Sequence, residues 1–286
     1  MKLVNIGVPA LNEERFLSQT LDSLLAQDYS NLEIIICDNA STDKTEEISC
    51  KYAGKDSRIK YFKNKERLSG PENWNRAFQL SSSKYFMWAS GHDLYDKSFV
   101  SSCMEILEKE ENVTLAYSLT YSIDEYNNKL QIIPQYLDTR TLNLISRFNK
   151  FILASNNSSC ILTGLIRSES IRKTHLMQNT LAADTLFLSE LSLLSYFAQT
   201  QKPLYYRREI RPHETPIMTS KRRIKDIFRN KKKYPAIFYL FHLIYKYLIT
   251  IWRSSINFGY KIILSFFIFF DLGILYFKTI LKYVKK

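Results

Sequence analysis

Residues 6–48 read IGVPALNEERFLSQTLDSLLAQDYSNLEIIICDNASTDKTEEI. An apolar run stops at Pro9, a polar LNEE follows, and residues 13–26 then set Phe16, Leu17, Leu21, Leu24 and Leu25 on one helical stripe. Leu32–Cys37 is a second apolar run of strand length. Behind it, Ser41 or Thr42 is expected to cap a helix with Asp43, Glu46 and Glu47 in its first turns. Further on, Arg58–Phe62 reads as a strand, Trp74–Leu80 as a helix and Tyr85–Ala89 as another strand. This alternation predicts an α/β fold, a doubly wound, mostly parallel sheet flanked by helices. Such sheets bind ligands at the carboxyl ends of their strands. Four polar strand ends are therefore singled out: Pro9–Glu14, Asp38–Asp43, Asn64–Asn75 and Gly91–Asp96.

The chain of 286 residues is long enough for one large core, or one core with an appendage. Its charge of +12 is unevenly spread. Residues 1–200 hold 21 Lys/Arg against 24 Asp/Glu, whereas 201–286 hold 19 against 4. All the excess positive charge lies in the last third, which is also rich in Phe, Tyr and Ile. The four cysteines, Cys37, Cys50, Cys103 and Cys160, include no CxxC pair, which favours reduced cytosolic thiols over a disulfide frame or a zinc site. Asn5 and Pro9 interrupt the amino-terminal run too early for a signal-peptide core.

Asp38 directly follows LEIIIC, so its carboxylate stands at a strand end. There it either accepts hydrogen bonds from a ribose or base edge or closes a turn, and the residue alone leaves both open. FMWASGHD (86–93) poses the same choice: Gly91 ends an apolar run, and His92 and Asp93 then reach a ligand or simply cap the next element.

Taken together, residues 6–48 closely resemble the opening of the family 2 inverting glycosyltransferases, whose nucleotide-sugar-binding domain is of the GT-A type. The resemblance covers about residues 3–125 and extends more loosely to 215. It implies a nucleotide-sugar donor, with Pro9, Ala10, Asn12 and Glu14 bordering the nucleotide and Asp38 and Asn39 near the base or ribose. The Asn64–Asn75 loop, with Arg67 and Asn73, would close over it. FMWASGHD falls where the family carries a short acidic, metal-binding motif. Asp93 then matches the metal aspartate, while Gly91 and His92 stand where the family has a histidine and a further aspartate. Imidazole suits Mn²⁺ better than Mg²⁺, so Mn²⁺ is the favoured ion and His92 is expected on the phosphates or the metal.

The ion would offset the charge of the departing diphosphate, and inversion needs a base for the acceptor hydroxyl. AADTLFLSEL (182–191) resembles the family's base helix and makes Asp184 that base, although a first-turn carboxylate is also favoured by the helix dipole alone. Asp96 and Glu190 are weaker candidates, Glu190 being expected to face solvent. In YYRREIRPHETP (205–216), Arg207, Arg208, Arg211 and His213 are expected over the diphosphate.

A boundary is expected near residue 218, between a catalytic domain (1–218) and a basic, aromatic region (219–286). KRRIKDIFRNKKK (221–233) precedes YPAIFYLFHLIYKYLITIW (234–252) and IILSFFIFFDLGILYF (262–277). Aromatic runs between basic flanks fit an anionic membrane surface better than nucleic acid. The 262–277 run is shorter than the roughly 20 residues of a spanning helix, and Asp271 would be costly inside a bilayer. Helices lying on the cytosolic face of the inner membrane are expected, working on a lipid-linked or saccharide acceptor. A buried helical subdomain or an oligomer interface is the alternative.

Overall fold

The computed structural model describes residues 1–133, 138–153, 158–180, 182–210 and 236–270. The first half of the chain alternates as expected: β1 (Val4–Ala10), α1 (Leu17–Leu25), β2 (Leu32–Asp38), α2 (Thr45–Lys55), β3 (Ile59–Lys63), α3 (Gly70–Gln79) and β4 (Tyr85–Trp88). Then come β5 (Leu94–Tyr95), α4 (Phe99–Lys109), β6 (Val113–Ile123), β7 (Lys129–Ile133), α5 (Leu144–Leu153), α6 (Ser158–Leu162), β8 (Leu165–Arg167), α7 (Ser168–Arg172), α8 (Ala183–Leu194), β9 (Tyr196–Arg208) and α9 (Ala236–Arg253). Residues 258–270 are also helical.

Strands buried on both faces must be apolar at every position, because side chains alternate across the sheet. β4 shows this: Tyr85 and Met87 join the core beneath α1 and α4, whereas Phe86 and Trp88 join the core beneath α3 and α8. Helices therefore cover both faces, and the winding is double. The sheet order is β3-β2-β1-β4-β8-β6-β9-β5, with β7 paired to β6. β3, β2, β1 and β4 are parallel throughout. In the other half β6 and β9 also pair in parallel, but β8 runs antiparallel to both β4 and β6, and β5 runs antiparallel to β9, so that half is mixed.

Helix starts differ from expectation for a local reason. Ser41 is tied to Asp38 (2.5 Å), and neither Ser41 nor Thr42 caps α2. Instead Glu14 accepts from Lys44 N (3.0 Å) and Asp43 accepts from Thr45 N (3.0 Å). α3 starts earlier than the apolar pattern suggests. Ser69 and Glu72 form a reciprocal capping box there, with Pro71 in the first turn.

The C-terminal helices add a third core. Ile244, Tyr247 and Ile251 of α9 pack with Leu264 and Ile268 against Phe148 and Ile152 of α5 and Leu186 and Leu193 of α8. The opposite face keeps Phe241, Tyr245 and Trp252 exposed, together with Phe258, Phe266, Phe269 and Phe270. Among the described residues, no helix is long and apolar enough to cross a membrane. The expected boundary near 218 and the basic run 221–233 lie outside the described residues.

Candidate active site

The carboxyl ends of β1, β2 and β4 open into one cleft. Pro9, Ala10, Leu11 and Glu13 line it from β1, Asn39 from β2, and Ser90, Gly91 and His92 from β4. The loop after β3 and the start of α3 close it with Arg67, Leu68, Gly70, Asn73 and Trp74. Of the expected contacts, Pro9, Ala10, Asn39, Arg67, Asn73 and His92 are thus brought together.

Amide hydrogen bonds build the far wall. Asn39 Oδ1 accepts from Leu68 N (2.7 Å), and its Nδ2 donates to Leu68 O (3.0 Å). Asn73 Oδ1 accepts from Asn64 Nδ2 (2.8 Å), and Asn73 Nδ2 donates to Cys37 O (3.0 Å). The Arg67 loop is therefore pinned to the end of β2, and these two amides serve the wall as much as any ligand. Burial pushes the neighbouring Cys37 thiol up to about 11, so it stays protonated and packs as a small apolar group.

Other expected residues are engaged elsewhere. Asn12 sits at φ 56°, a left-handed turn in which its Oδ1 accepts from Thr42 N (2.9 Å). Asn12 and Glu14 thereby clasp the start of α2 and do not line the cleft. Asp38 is fully buried behind the wall. Its Oδ1 accepts from Ser41 N (2.9 Å) and its Oδ2 from the Tyr61 hydroxyl (2.8 Å), and burial with this bond raises the Tyr61 pKa.

In the acidic motif the side chains are engaged otherwise than expected. Asp93, expected to hold the metal, is only 2% exposed. Its Oδ2 accepts from the Tyr205 hydroxyl (2.5 Å) and its Oδ1 from Arg208 N (2.8 Å). Burial, and then the charge of Asp93, push the Tyr205 hydroxyl well above the usual tyrosine range. The residue that faces the cleft is His92. Its Nδ1 lies 3.0 and 3.1 Å from the two oxygens of Glu13, a residue that sequence reasoning passed over in favour of its neighbours. The missed signal was Gly91. A Cβ there would lie 2.9 Å from Glu13 Cγ, so a glycine at this point leaves room for an acid crossing from β1.

By itself the cleft offers a divalent ion few protein donors. A hard ion takes about six oxygen ligands, of which a protein commonly supplies one or two beside substrate phosphates and waters. The cleft offers one ring already joined to one carboxylate, and Asp93 is committed to β9. Among the described residues, no three His, Cys, Asp or Glu side chains converge.

The arginines also fall differently from expectation. Arg207 and Arg208 belong to β9 and do not line the cleft. Arg208 Nε donates to His92 O (2.8 Å), and its Nη2 donates to Gln19 Oε1 (3.0 Å) and Asn127 Oδ1 (2.7 Å). Its guanidinium also stacks over Phe16 at 4.3 Å. This arginine positions the backbone of the motif. Arg207 is half-buried near Cys160. Arg211 and His213 lie outside the described residues.

Asp184 stands in the first turn of α8, with its Oδ1 accepting from Thr185 N (2.9 Å). It does not line the cleft, but the segment leading to it is tied to the cleft's α3 wall. Asn75 exchanges two hydrogen bonds with the Met177 backbone, and Asn179 bonds both Ser69 and Glu72 of the capping box. Ala182, just ahead, holds φ 54°, a strained value for a residue with a side chain. Glu190 is buried rather than solvent-facing. It accepts from His175 N (3.0 Å) and pairs with His175 Nδ1 (2.6 Å). Asp96 is likewise structural, its Oδ1 accepting from Ser98 N (3.0 Å) at the start of α4.

The sequence profile of glycosyl transferase family 2 matches residues 5–173, more than half of the chain. The chain belongs to glycosyl transferase family 2. Among similar curated proteins, an uncharacterised glycosyltransferase of Rickettsia typhi is 33% identical over 46% of this chain and 40% of its own length. The Escherichia coli UDP-Glc:alpha-D-GlcNAc-diphosphoundecaprenol beta-1,3-glucosyltransferase WfaP is 35% identical over 42% of this chain and 47% of its own. The family 2 chain thus spans less than half the length of these relatives. Its fold is that of Staphylococcus aureus TarS, solved with UDP (TM-score 0.66, 16% identity, 92% of this chain and 69% of that one). A Pyrobaculum calidifontis mannosyltransferase solved with GDP-Man and Mn²⁺ is similar too (TM-score 0.56, 16% identity, 88% and 71%).

Proposed function

We propose that the chain is an inverting glycosyltransferase that moves a sugar from a nucleoside-diphosphate donor to a hydroxyl of a lipid-linked or saccharide acceptor at a membrane surface. The observation carrying this reading is the cleft itself. Six residues expected to border a nucleotide sugar meet at the carboxyl ends of parallel strands, where such ligands bind. Family membership supports the reaction class, and WfaP, by its name, acts on a diphosphoundecaprenol-linked sugar.

In this reading the donor's nucleotide lies along Pro9, Ala10, Asn39 and Asn73, with its diphosphate toward Arg67 and His92. Asp184 takes the proton from the acceptor hydroxyl as that oxygen attacks the sugar's anomeric carbon. The exposed aromatic face of α9 and of 258–270, next to the basic stretch of the sequence, seats the enzyme on the cytosolic face of an anionic membrane. The expected metal assistance through Asp93 is not part of the reading, because that carboxylate is spent on Tyr205 and Arg208. The absence of an acid at the cleft side of the motif favours one alternative, a nucleotide-sugar-binding protein without turnover.

A panel of UDP-, GDP- and dTDP-sugars, screened for thermal stabilisation and for release of nucleoside diphosphate with an undecaprenyl-diphosphate-linked sugar as acceptor, tests both readings. Asp184→Asn is expected to cut turnover by about 10²-fold or more while donor affinity stays. Donor binding without release under any condition selects the alternative. Full turnover by Asp184→Asn removes that residue as the base.

A further inference from the structure

The first turns of α3 serve two faces. Gly70, Asn73 and Trp74, spaced three and four residues apart, line the cleft. Ser69, Glu72 and Asn75 repeat every three residues on the adjacent stripe and hold the segment that leads to Asp184. Asn75 takes both backbone groups of Met177: its Nδ2 donates to Met177 O (2.8 Å), and its Oδ1 accepts from Met177 N (2.9 Å). Asn179 Oδ1 accepts from the Ser69 hydroxyl (2.6 Å), and its Nδ2 donates to Glu72 Oε1 (3.0 Å). The cleft wall and the approach to the candidate base are thus two sides of one helix.

The held segment sits against its own local preferences. Leu176 and Ala182, which flank it, have φ 57° and 54°, left-handed values that are costly for a residue with a Cβ. Between them, the Thr180 hydroxyl and Gln178 Nε2 are buried and meet no hydrogen-bond partner among the described residues. Buried polar groups are normally paired, so both features are unfavourable on their own. They persist only where surrounding contacts impose them, and here those contacts run to α3. The body of α8 is anchored separately, with Leu188 and Leu191 buried and Phe187 packed edge-on against Trp88 at 5.5 Å. Its first turn, where Asp184 is half-buried, is the part that the segment sets.

We infer that Asn75 and Asn179 are positioning residues, which couple occupation of the donor cleft to the setting of Asp184 through residues 177–180. The inference rests on the donor and base readings proposed above. A ligand shifts such an equilibrium only by contacts it makes in one state, and here those contacts are to Gly70, Asn73 and Trp74. A donor seated there fixes the first turns of α3. Their other face then fixes Met177 and Asn179, and with them the strained approach to Ala182 and the first turn of α8. In the empty protein the strain favours release of the segment. The base is therefore set when there is a sugar to transfer.

Hydrogen–deuterium exchange of the full chain, with and without UDP, GDP or dTDP, tests this. Whichever nucleotide binds by titration calorimetry is expected to slow exchange in 177–180 and 183–187 as well as at the cleft. In Asn75→Ala and Asn179→Ala the cleft should keep its protection and its nucleotide affinity, while 183–187 loses the added protection. Each variant should also lose about tenfold in kcat, the worth of one or two hydrogen bonds, with donor KM within about twofold. Asn179 is exposed, so its variant stays informative should Asn75→Ala fold poorly. A first turn of α8 that ignores the nucleotide, or that keeps its added protection in Asn179→Ala, overturns the inference and leaves the donor reading standing. Nucleotide affinity lost in step with kcat makes the two asparagines mere wall supports and overturns it as well. If none of the three nucleotides binds, the donor reading fails and takes the inference with it.

Discussion

Replacing Asp93 by alanine should unfold this protein more readily, rather than strip it of a cation. The carboxylate accepts one hydrogen bond from a buried tyrosine hydroxyl at 2.5 Å and one from a backbone N–H at 2.8 Å. Each such bond to a charged acceptor contributes about 1.5–3 kcal/mol, so losing both costs roughly 3–6 kcal/mol. Unfolding entropy of about 2.1 cal/mol/K per residue amounts to about 0.6 kcal/mol/K for this chain, so the melting temperature should fall by roughly 5–10 °C. Asp93→Asn keeps one acceptor but turns an amide N–H₂ toward a donor, and should cost about half as much. Tyr205→Phe removes one of the two bonds. A double-mutant cycle between positions 93 and 205 should return a coupling of about 1–3 kcal/mol. Thermal and urea unfolding of the wild type and these four variants supply these values, and nucleotide titration of each, at a temperature where it is folded, supplies the control. If Asp93→Ala melts with the wild type yet loses nucleotide binding in Mn²⁺ buffer alone, the carboxylate is a metal ligand and the structural account of it is wrong.

Burial raises the pKa of Glu190 above the ordinary 4.5, against the opposing hydrogen bonds from His175. The folded state therefore keeps a proton that the unfolded chain has released, and Glu190's contribution to stability falls as pH rises from about 4.5 through the raised value. Glu190→Gln should flatten this slope in urea midpoints measured across that range, and an unchanged slope would contradict it. For the tail, replacing Phe241, Phe266, Phe269 and Phe270 with serine should cut binding to phosphatidylglycerol vesicles by about 100-fold or more, since each buried ring contributes on the order of 1.5–3 kcal/mol. Sedimentation with the vesicles measures it, and undiminished binding would leave the aromatic face without that role.

The parallel half of the fold was legible because its strands are buried on both faces. Continuous runs such as LEIIIC and YFMW have few other uses, and the polar ends of those runs marked the cleft. β9 was not legible, since YFAQTQKPLYYRR mixes polar residues and a proline into a strand whose partners lie far away in sequence. Arg207 and Arg208 consequently read as a loop over phosphates, when long-range pairing holds them in the sheet. At LNEE, adjacent identical acids cannot be told apart by composition. The left-handed turn at Asn12 separates them, with Glu14 on α2 and Glu13 in the cleft. In FMWASGHD, alignment by residue type favoured the remaining acid, Asp93. Burial reverses the choice, because the chain spends that acid on anchoring β9.

The placement of α8 links the two regions that the sequence kept apart. Its first turn carries Asp184, and its buried faces carry Leu186 and Leu193 against Tyr247 and Ile251 of α9. One turn beyond Leu186, Glu190 grips His175, whose Nε2 lies 3.3 Å from Arg253 Nη1 at the end of α9. Burial also raises the pKa of Tyr247, with the charge of Asp184 adding to the effect. Any surface that receives the exposed aromatics of α9 is consequently held at a set height from the first turn of α8. A soluble acceptor would gain nothing from that constraint, whereas an acceptor hydroxyl presented at a fixed depth by a lipid anchor would meet the base without a search in three dimensions.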